Sequence, residues 1–228
     1  MSPDLSSPGS TELLLMLLAD ARLPTAGHTQ SGGLEPALRG GLDPSQLVDY
    51  CRARLATVTL TEAATAVVCR HRALVGQGTE DVELAWAART PSDAQRTASR
   101  AMGRAYRRLA LHLWPDSAVL GELGAVRHLS RPRVLGLVAA AGGLGSGQLV
   151  RLVGYNDVQT VVSASLKLSP GDPMEAAGWV LGLREDIESM VPKCTDLIDP
   201  EAIPAASSPV VEAWAQAHAS TTRRLFSA

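Results

Sequence analysis

The run Pro24-Thr25-Ala26-Gly27-His28-Thr29-Gln30-Ser31-Gly32-Gly33-Leu34-Glu35 sets an imidazole, a hydroxyl, three glycines and a carboxylate between two apolar stretches. One chemistry open to that set is acyl transfer, with Ser31 as nucleophile and His28 as its base. A nucleophile elbow holds its serine in Gly-x-Ser-x-Gly between a strand and a helix, because the tight turn admits only small neighbours. Here Thr29 stands two residues before Ser31, and no strand pattern precedes it. A plainer reading has Gly32 and Gly33 turning the chain while Ser31 caps the next helix. The compact polar run exceeds what a turn requires, and loops of this kind on rigid scaffolds carry binding function. Catalyst, turn and contact loop all stay open at this point.

Other residues offer chemistry of their own. The cluster Gly142 to Gln148, "GGLGSGQ", precedes an apolar run as phosphate cradles do, but it lacks the Lys-Ser/Thr of a P-loop and follows no strand, so a helix-to-helix turn is the better reading. The histidines, His28, His71, His112, His128 and His218, form no i, i+4 pair, and Cys69 and His71 would point to opposite sides of a helix. No metal set is therefore legible locally. Arg96, Arg100, Arg104 and Arg108 follow at four-residue steps with Arg107 alongside, and Asp93 is the only acid between Arg89 and Arg108. On a helix they form a basic ridge, either a solvated face or a dock for an acidic partner surface, since guanidinium forks match carboxylates. Phe226, the only phenylalanine, sits near the end of the chain with Arg223, Arg224 and Leu225. An aromatic beside arginines is typical of interface anchors, and packing onto its own domain is the alternative.

The elements that must position these residues read as helices. Ser10 can cap a first helix, Thr11 to about Arg22, closed by Pro24. A short helix spans about Gly33 to Arg39, and Gln46 to Leu74 carries helical spacing over one long helix or two abutting ones. Further helices are expected over Val82–Ala88, from Ser92 to Trp114, over Val134–Ala141 behind Ser130 and Pro132, and over Leu149–Leu168. "PGDP" at 170–173 breaks the chain before a helix from Met174 to Met190, and an amphipathic helix from Ser208 to Leu225 closes it. These amount to roughly nine or ten helices. Residues 1–10 read as a flexible leader and 11–228 as a single all-α bundle, in which 192–207 is a Pro-rich linker before the last helix and its partner-binding tail.

Composition agrees. Ala and Leu dominate over Val and Ile, aromatics are 4%, and 46% of residues are hydrophobic, which favours helix and allows a sizeable core. A net charge of -2 gives no global case for nucleic acid. Cys51, Cys69 and Cys194 are an odd number at long spacings with no C-x-x-C pair, so neither a disulfide framework nor a structural zinc site is indicated, which fits a reducing cytoplasm. The apolar run Leu13–Leu18 is too short for a membrane span and has the wrong flanks for a signal peptide.

Four segments, in order, resemble the urease accessory protein UreF family. "LLLMLLADARLPTAGHTQSGGLE" is similar to that family's Leu-rich helix and P-x-G-x-aromatic-x-x-S-x-G-L-E segment through Pro24, Ser31, Gly33, Leu34 and Glu35, with Ala26 where glycine is usual and His28 at the aromatic position. "ASRAMGRAYRRL" resembles the family's A-S-R-x-x-G-R helix at Ala98, Ser99, Arg100, Gly103, Arg104 and Leu109. "TVVSASLKLSP" matches at Ser163, Ala164, Lys167, Leu168 and Pro170, and "HASTTRRLFSA" at His218, Arg224, Leu225 and Phe226. The resemblance implies a non-enzymatic, usually homodimeric, all-α scaffold. It would bridge a UreD/UreH-like accessory protein to the GTPase UreG so that nickel reaches apo-urease, with no cofactor bound by this chain and nickel handled by the assembled complex. It further implies that Pro24, His28, Ser31, Gly33 and Glu35 form a contact loop, with His28 on a possible nickel route, and that the tail orders on the UreD-like partner. Arg96, Arg100 and Arg104 would form the acidic-partner dock. Two other classes stay in view, a serine hydrolase using Ser31 and a helical ligand-binding or regulatory protein whose Leu149–Leu168 helix lines a pocket.

Overall fold

A computed structural model of the chain describes residues 8–25, 27–126, 129–222 and 224–227, and among these every regular element is helical. Most of the expected leader therefore lies outside the described residues. The first helix, α1, is Pro8–Ala19. It stops short of Arg22 because the Asp20 carboxylate takes the Arg22 backbone N–H at 2.9 Å and its guanidinium at 2.7 Å, a local turn that competes with the helix. Leu14 and Leu18, four apart, are its buried stripe.

After a 3-10 turn at Gly27–Thr29 come α2 (Leu34–Arg39), α3 (Leu47–Ala56) and α4 (Val58–Leu74). The last two abut at Thr57, whose φ of -127° and ψ of -97° leave the helical region. The chain continues through α5 (Glu80–Ala88), α6 (Asp93–Leu113) and the short α7 (Gly121–Ala125), the last unforeseen because its two glycines argue against helix. Ser92, where the helix was expected to start, caps α6 by accepting the Gln95 N–H at 3.3 Å.

The centre is α8 (Arg131–Ala141), buried from Arg131 to Ala140 and packed closely on α4. Small residues make the approach possible: a Cβ on Gly136 would stand 2.4 Å from the Ala66 carbonyl oxygen, and one on Gly103 of α6 would stand 2.0 Å from that of Leu129. Against this pair lies α9 (Ser146–Leu168), with Val150, Val153, Val158 and Val161 inside. One hydrophobic core runs from Leu14 to Phe226.

The expected helix over Met174–Met190 is instead two, α10 (Pro173–Gly182) and α11 (Arg184–Cys194), with the chain bending at Leu183, which is fully buried. Helix α11 runs through Pro192. Pro192 cannot donate to the preceding turn, and Met190 and Cys194 on either side of it are buried. The segment that follows is held to the body where Arg89 donates to the carbonyls of Ile203 at 2.6 Å and Glu201 at 2.8 Å, and where Pro200 and Ile203 are buried. The last helix, α12 (Pro209–Ala219), ends before the expected Leu225, and the chain folds back.

Candidate functional site

The glycine-rich loop is pinned from beneath. Gly32 and Gly33 take φ of 59° and 79°, a left-handed geometry that glycine adopts without steric cost. A Cβ at either would meet Val161 Cγ2 at 2.6 Å or Tyr50 Oη at 2.8 Å. The Tyr50 hydroxyl donates to the Gly32 carbonyl at 2.9 Å. Burial pushes that phenol up to about 12, against the opposing pull of Arg54, so it stays a neutral donor. Arg54 of α3 in turn forks onto Asp157 of α9, at 3.0 Å from Nε and 2.5 Å from Nη2, with both side chains buried. Burial alone would raise the Asp157 carboxyl, but the Arg54 guanidinium outweighs it and holds the group below the ordinary carboxylate range.

Ser31 lies at the inner edge of this loop, fully buried, and its Oγ accepts the Glu35 N–H at 3.3 Å. A nucleophile must meet its substrate, so the hydrolase geometry fails and the hydroxyl serves the start of α2. His28 and Pro24 are exposed. His128 and Ala26 lie outside the described residues, and among the described ones no three His, Cys, Asp or Glu side chains gather as a metal set. The three thiols are buried. Burial pushes Cys51 and Cys194 up to about 12 and Cys69 well above the ordinary thiol value, so all three remain protonated near neutrality.

Glu35 brings the loop and the end of the chain together. Its carboxylate, 2% exposed, accepts the backbone N–H of Leu225 at 2.9 and 3.1 Å and that of Phe226 at 2.8 Å, while Arg39 pairs with it at 2.8 Å. The Ser227 N–H reaches the Thr29 carbonyl at 2.8 Å. His218 Nε2 lies 3.3 Å from the Phe226 carbonyl; a carbonyl only accepts, so that nitrogen carries the proton. The Phe226 ring is 4% exposed with the Lys167 ammonium 5.4 Å from its centroid, whereas Arg224 and Leu225 face solvent. The Phe226 ring is thus anchored on its own domain. Arg223 lies outside the described residues.

The arginine ridge of α6 is only partly free. Arg96 bonds the Thr90 and Pro91 carbonyls at 2.6 and 2.9 Å and pairs with Asp93 at 3.1 Å. Arg100 stacks over Trp86 and reaches Glu83 at 3.4 Å, and Arg107 turns onto the carbonyls of Leu123 and Gly124. Arg96 and Arg100 of the ridge are therefore paired within the chain. Among the described residues, Arg104 and Arg108 remain exposed without an ion pair.

Two adjoining cavities lie beneath the loop. One of about 410 Å³ runs between α6 and α12 past Trp86 and His218, and one of about 190 Å³ passes His28 and Lys167. Gln30, Met102, Arg131 and Thr160 border both. The wall that α9 gives these cavities is mostly polar, with Asn156, Asp157, Gln159, Thr160, Ser163 and Lys167 beside Ala164, and its valines stay in the core. Sequence reasoning also missed the buried charges around the start of α8, where Arg131 pairs with Glu62 at 2.6 Å and Glu83 accepts from the Ser130 hydroxyl at 2.6 Å. Two arginines entering the apolar run "RPRVLGLVAAA" were the available signal.

The architecture is that of an all-helical protein whose polar loop and chain end form one continuous feature. The chain belongs to the UreF family, whose model, described as UreF, matches residues 42–184 and so spans the ridge but neither the loop nor the tail. It is 34% identical over 215 residues, 93% of this chain and 96% of the relative, to urease accessory protein UreF of Mycolicibacterium vanbaalenii. It is 36% identical over 221 residues to the protein of that name from Mycobacterium sp. (strain JLS), covering 95% of this chain and 99% of the relative. A Mycobacterium tuberculosis protein with the same name is 33% identical over 215 residues, 93% of this chain and 97% of its own.

Proposed function

We propose that this chain is a urease accessory protein that breaks no covalent bond itself and acts as a cytoplasmic, homodimeric scaffold. In this reading it bridges a UreD/UreH-like protein and the GTPase UreG, so that GTPase-coupled nickel delivery reaches apo-urease. The observation that carries the reading is the likeness along 93–95% of the chain to proteins named urease accessory protein UreF. The buried Ser31 and the protonated thiols support it, because they leave the loop to act by shape and contact. No helix among the described residues is long and apolar enough to cross a bilayer.

The loop residues Pro24, His28, Ser31, Gly33 and Glu35 and the tail residues Arg224, Leu225 and Phe226 form the partner surface, the buried members by holding the exposed ones in place. His28 stands on the nickel route as a transient contact to the cargo. On α6, the dock for acidic residues is Arg104 with the exposed part of Arg100, while Arg96 sets the start of the helix. The test is co-expression with a UreD-like protein and a UreG-like GTPase, followed by affinity isolation and metal analysis of urease in cells lacking this chain. The expected result is a ternary assembly and a urease that is present but nickel-poor without the chain. Full nickel loading in its absence would overturn the reading.

A further inference from the structure

The larger cavity beneath the loop has a mouth and a floor of different character. At the mouth, between α6 and α12, Asp93, Thr97 and Gln216 are exposed. On the floor lie Trp86, Arg131 and His218, none more than 5% exposed. Each of the three keeps one buried polar atom without a hydrogen-bond partner in the chain: Trp86 Nε1, Arg131 Nε and His218 Nδ1. A buried polar group in that condition costs stability, and three around one cavity are the mark of a site built for a ligand. Two of them are N–H donors. The third is an acceptor, because the His218 ring has its proton on Nε2, facing the Phe226 carbonyl at 3.3 Å. The charges around them are already matched. Arg54 forks onto both oxygens of Asp157, and Glu62 takes Arg131 Nη2 at 2.6 Å and the Ser99 hydroxyl at 3.0 Å. At the mouth Asp93 and Arg224 stand exposed, one of each sign. Val58, Ala98, Met102 and Ala215 add apolar wall.

We propose that this cavity binds an uncharged small molecule, a carboxamide on an apolar body. A carboxamide oxygen accepts from Arg131 Nε or Trp86 Nε1, and its N–H donates to His218 Nδ1, so a single functional group answers both kinds of unpaired atom. The apolar body lies against Val58, Met102 and the indole. A carboxylate or an ammonium ion would bring net charge into a buried site whose own charges are paired, at a desolvation cost that nothing there offsets. The volume, about 410 Å³, lies within the range of small-molecule pockets, and water finds no partners along the apolar wall. The inference is independent of the accessory role proposed above and stands or falls without it.

The test uses the full-length chain, with benzamide as the probe and benzoate, benzamidine and toluene as its acidic, basic and non-polar counterparts. Binding is read by isothermal titration and by the indole N–H signals in a nitrogen–proton correlation spectrum, where Trp86→Phe identifies the Trp86 signal by its loss. Benzamide should move that signal and bind with a Kd of about 1 mM or below, as suits a fragment of its size. The counterparts should bind at least about tenfold more weakly, the ions for want of a charge partner and toluene for want of hydrogen bonds. Trp86→Phe deletes one donor and keeps an aromatic ring, and should weaken benzamide about three- to tenfold. Ala98→Leu fills the cavity from its wall and should weaken benzamide at least about tenfold with the thermal midpoint unchanged, so it decides the matter if Trp86→Phe does not fold. Indole signals that all stay in place at about 20 mM benzamide, or equal binding by Ala98→Leu, overturn the site. Equal binding of benzoate or benzamidine overturns the neutral class of ligand. Equal binding of toluene overturns the role of the three polar atoms and leaves only an apolar hole.

Discussion

The loop-and-tail feature and the arginine face of α6 are both rich in polar groups, yet they hold charge in opposite ways. At the loop, Arg54, Asp157 and Glu35 are buried, and each has a geometrically specific partner drawn from a distant part of the chain. On α6, the arginines are half-buried or exposed and find what partners they have nearby, on the adjoining turn or helix. A buried charge stripped of its partner is strongly destabilising, whereas a solvated one is screened and contributes little. The loop's charges should therefore govern where its backbone stands. The ridge's free charges should govern only encounters with other molecules.

The largest effect that can break this contrast lies under the loop. Asp157→Ala leaves the Arg54 guanidinium buried and unpaired, and should cost about 3–5 kcal/mol in urea unfolding. The pair also predicts an acid limb. Folding lowers the Asp157 pKa, so its contribution is complete above the unfolded carboxylate value and is lost as pH falls through the lower folded one. Wild-type stability measured from pH 7 down to about pH 3 should fall more steeply than that of Asp157→Asn, since only the wild type carries the carboxyl that must be protonated. Parallel curves would remove the pair from its supporting role.

A step smaller is the loop backbone. Gly33→Ala forces a side chain into a φ of 79° and against Tyr50 Oη, and should cost roughly 1–3 kcal/mol. Gly41→Ala makes the control, because at φ 101° it carries the backbone strain with nothing within 4 Å of the added carbon. If the two lose equal stability in urea midpoints, the Tyr50 contact contributes nothing and the loop is held by strain alone.

What could be read ahead of the structure follows from how far apart the deciding residues lie. Some helix starts were legible because caps and prolines act within a turn: Ser92 caps α6, and Ser130 with Pro132 opens α8, whereas α1 begins at Pro8 and takes in Ser10, the residue expected to cap it. The loop was legible as a special segment because its glycines and polar residues are contiguous. Its mode of support was not, since Arg54 and Asp157 are 103 positions apart, and Arg54 within "CRARL" has the look of a solvated charge. The tail was extended as helix to Leu225 because its local pattern allows it; the carboxylate that captures its N–H groups sits 190 residues earlier. The break at Leu183 follows Gly182, a local signal that was passed over, and the full burial of Leu183 fixes it.

The smallest expected effect sharpens the contrast most, because it is specific to one side of it. Arg104→Ala removes an exposed guanidinium with no ion pair among the described residues, so stability should stay within about 0.5 kcal/mol of wild type. Arg96→Ala, eight residues earlier on the same face, removes the donor that satisfies the Thr90 and Pro91 carbonyls and should cost about 1 kcal/mol. Their effects on partner association should run the other way. Arg104→Ala should slow encounter with an acidic surface at low salt, and the difference should shrink between about 0.05 and 0.5 M salt as screening shortens the reach of the charge. Arg96→Ala should leave that rate nearly unaltered. Equal salt-dependent losses from both variants would mean that the ridge acts as one electrostatic surface after all, and that the inward bonds of Arg96 do not withdraw its charge from solvent.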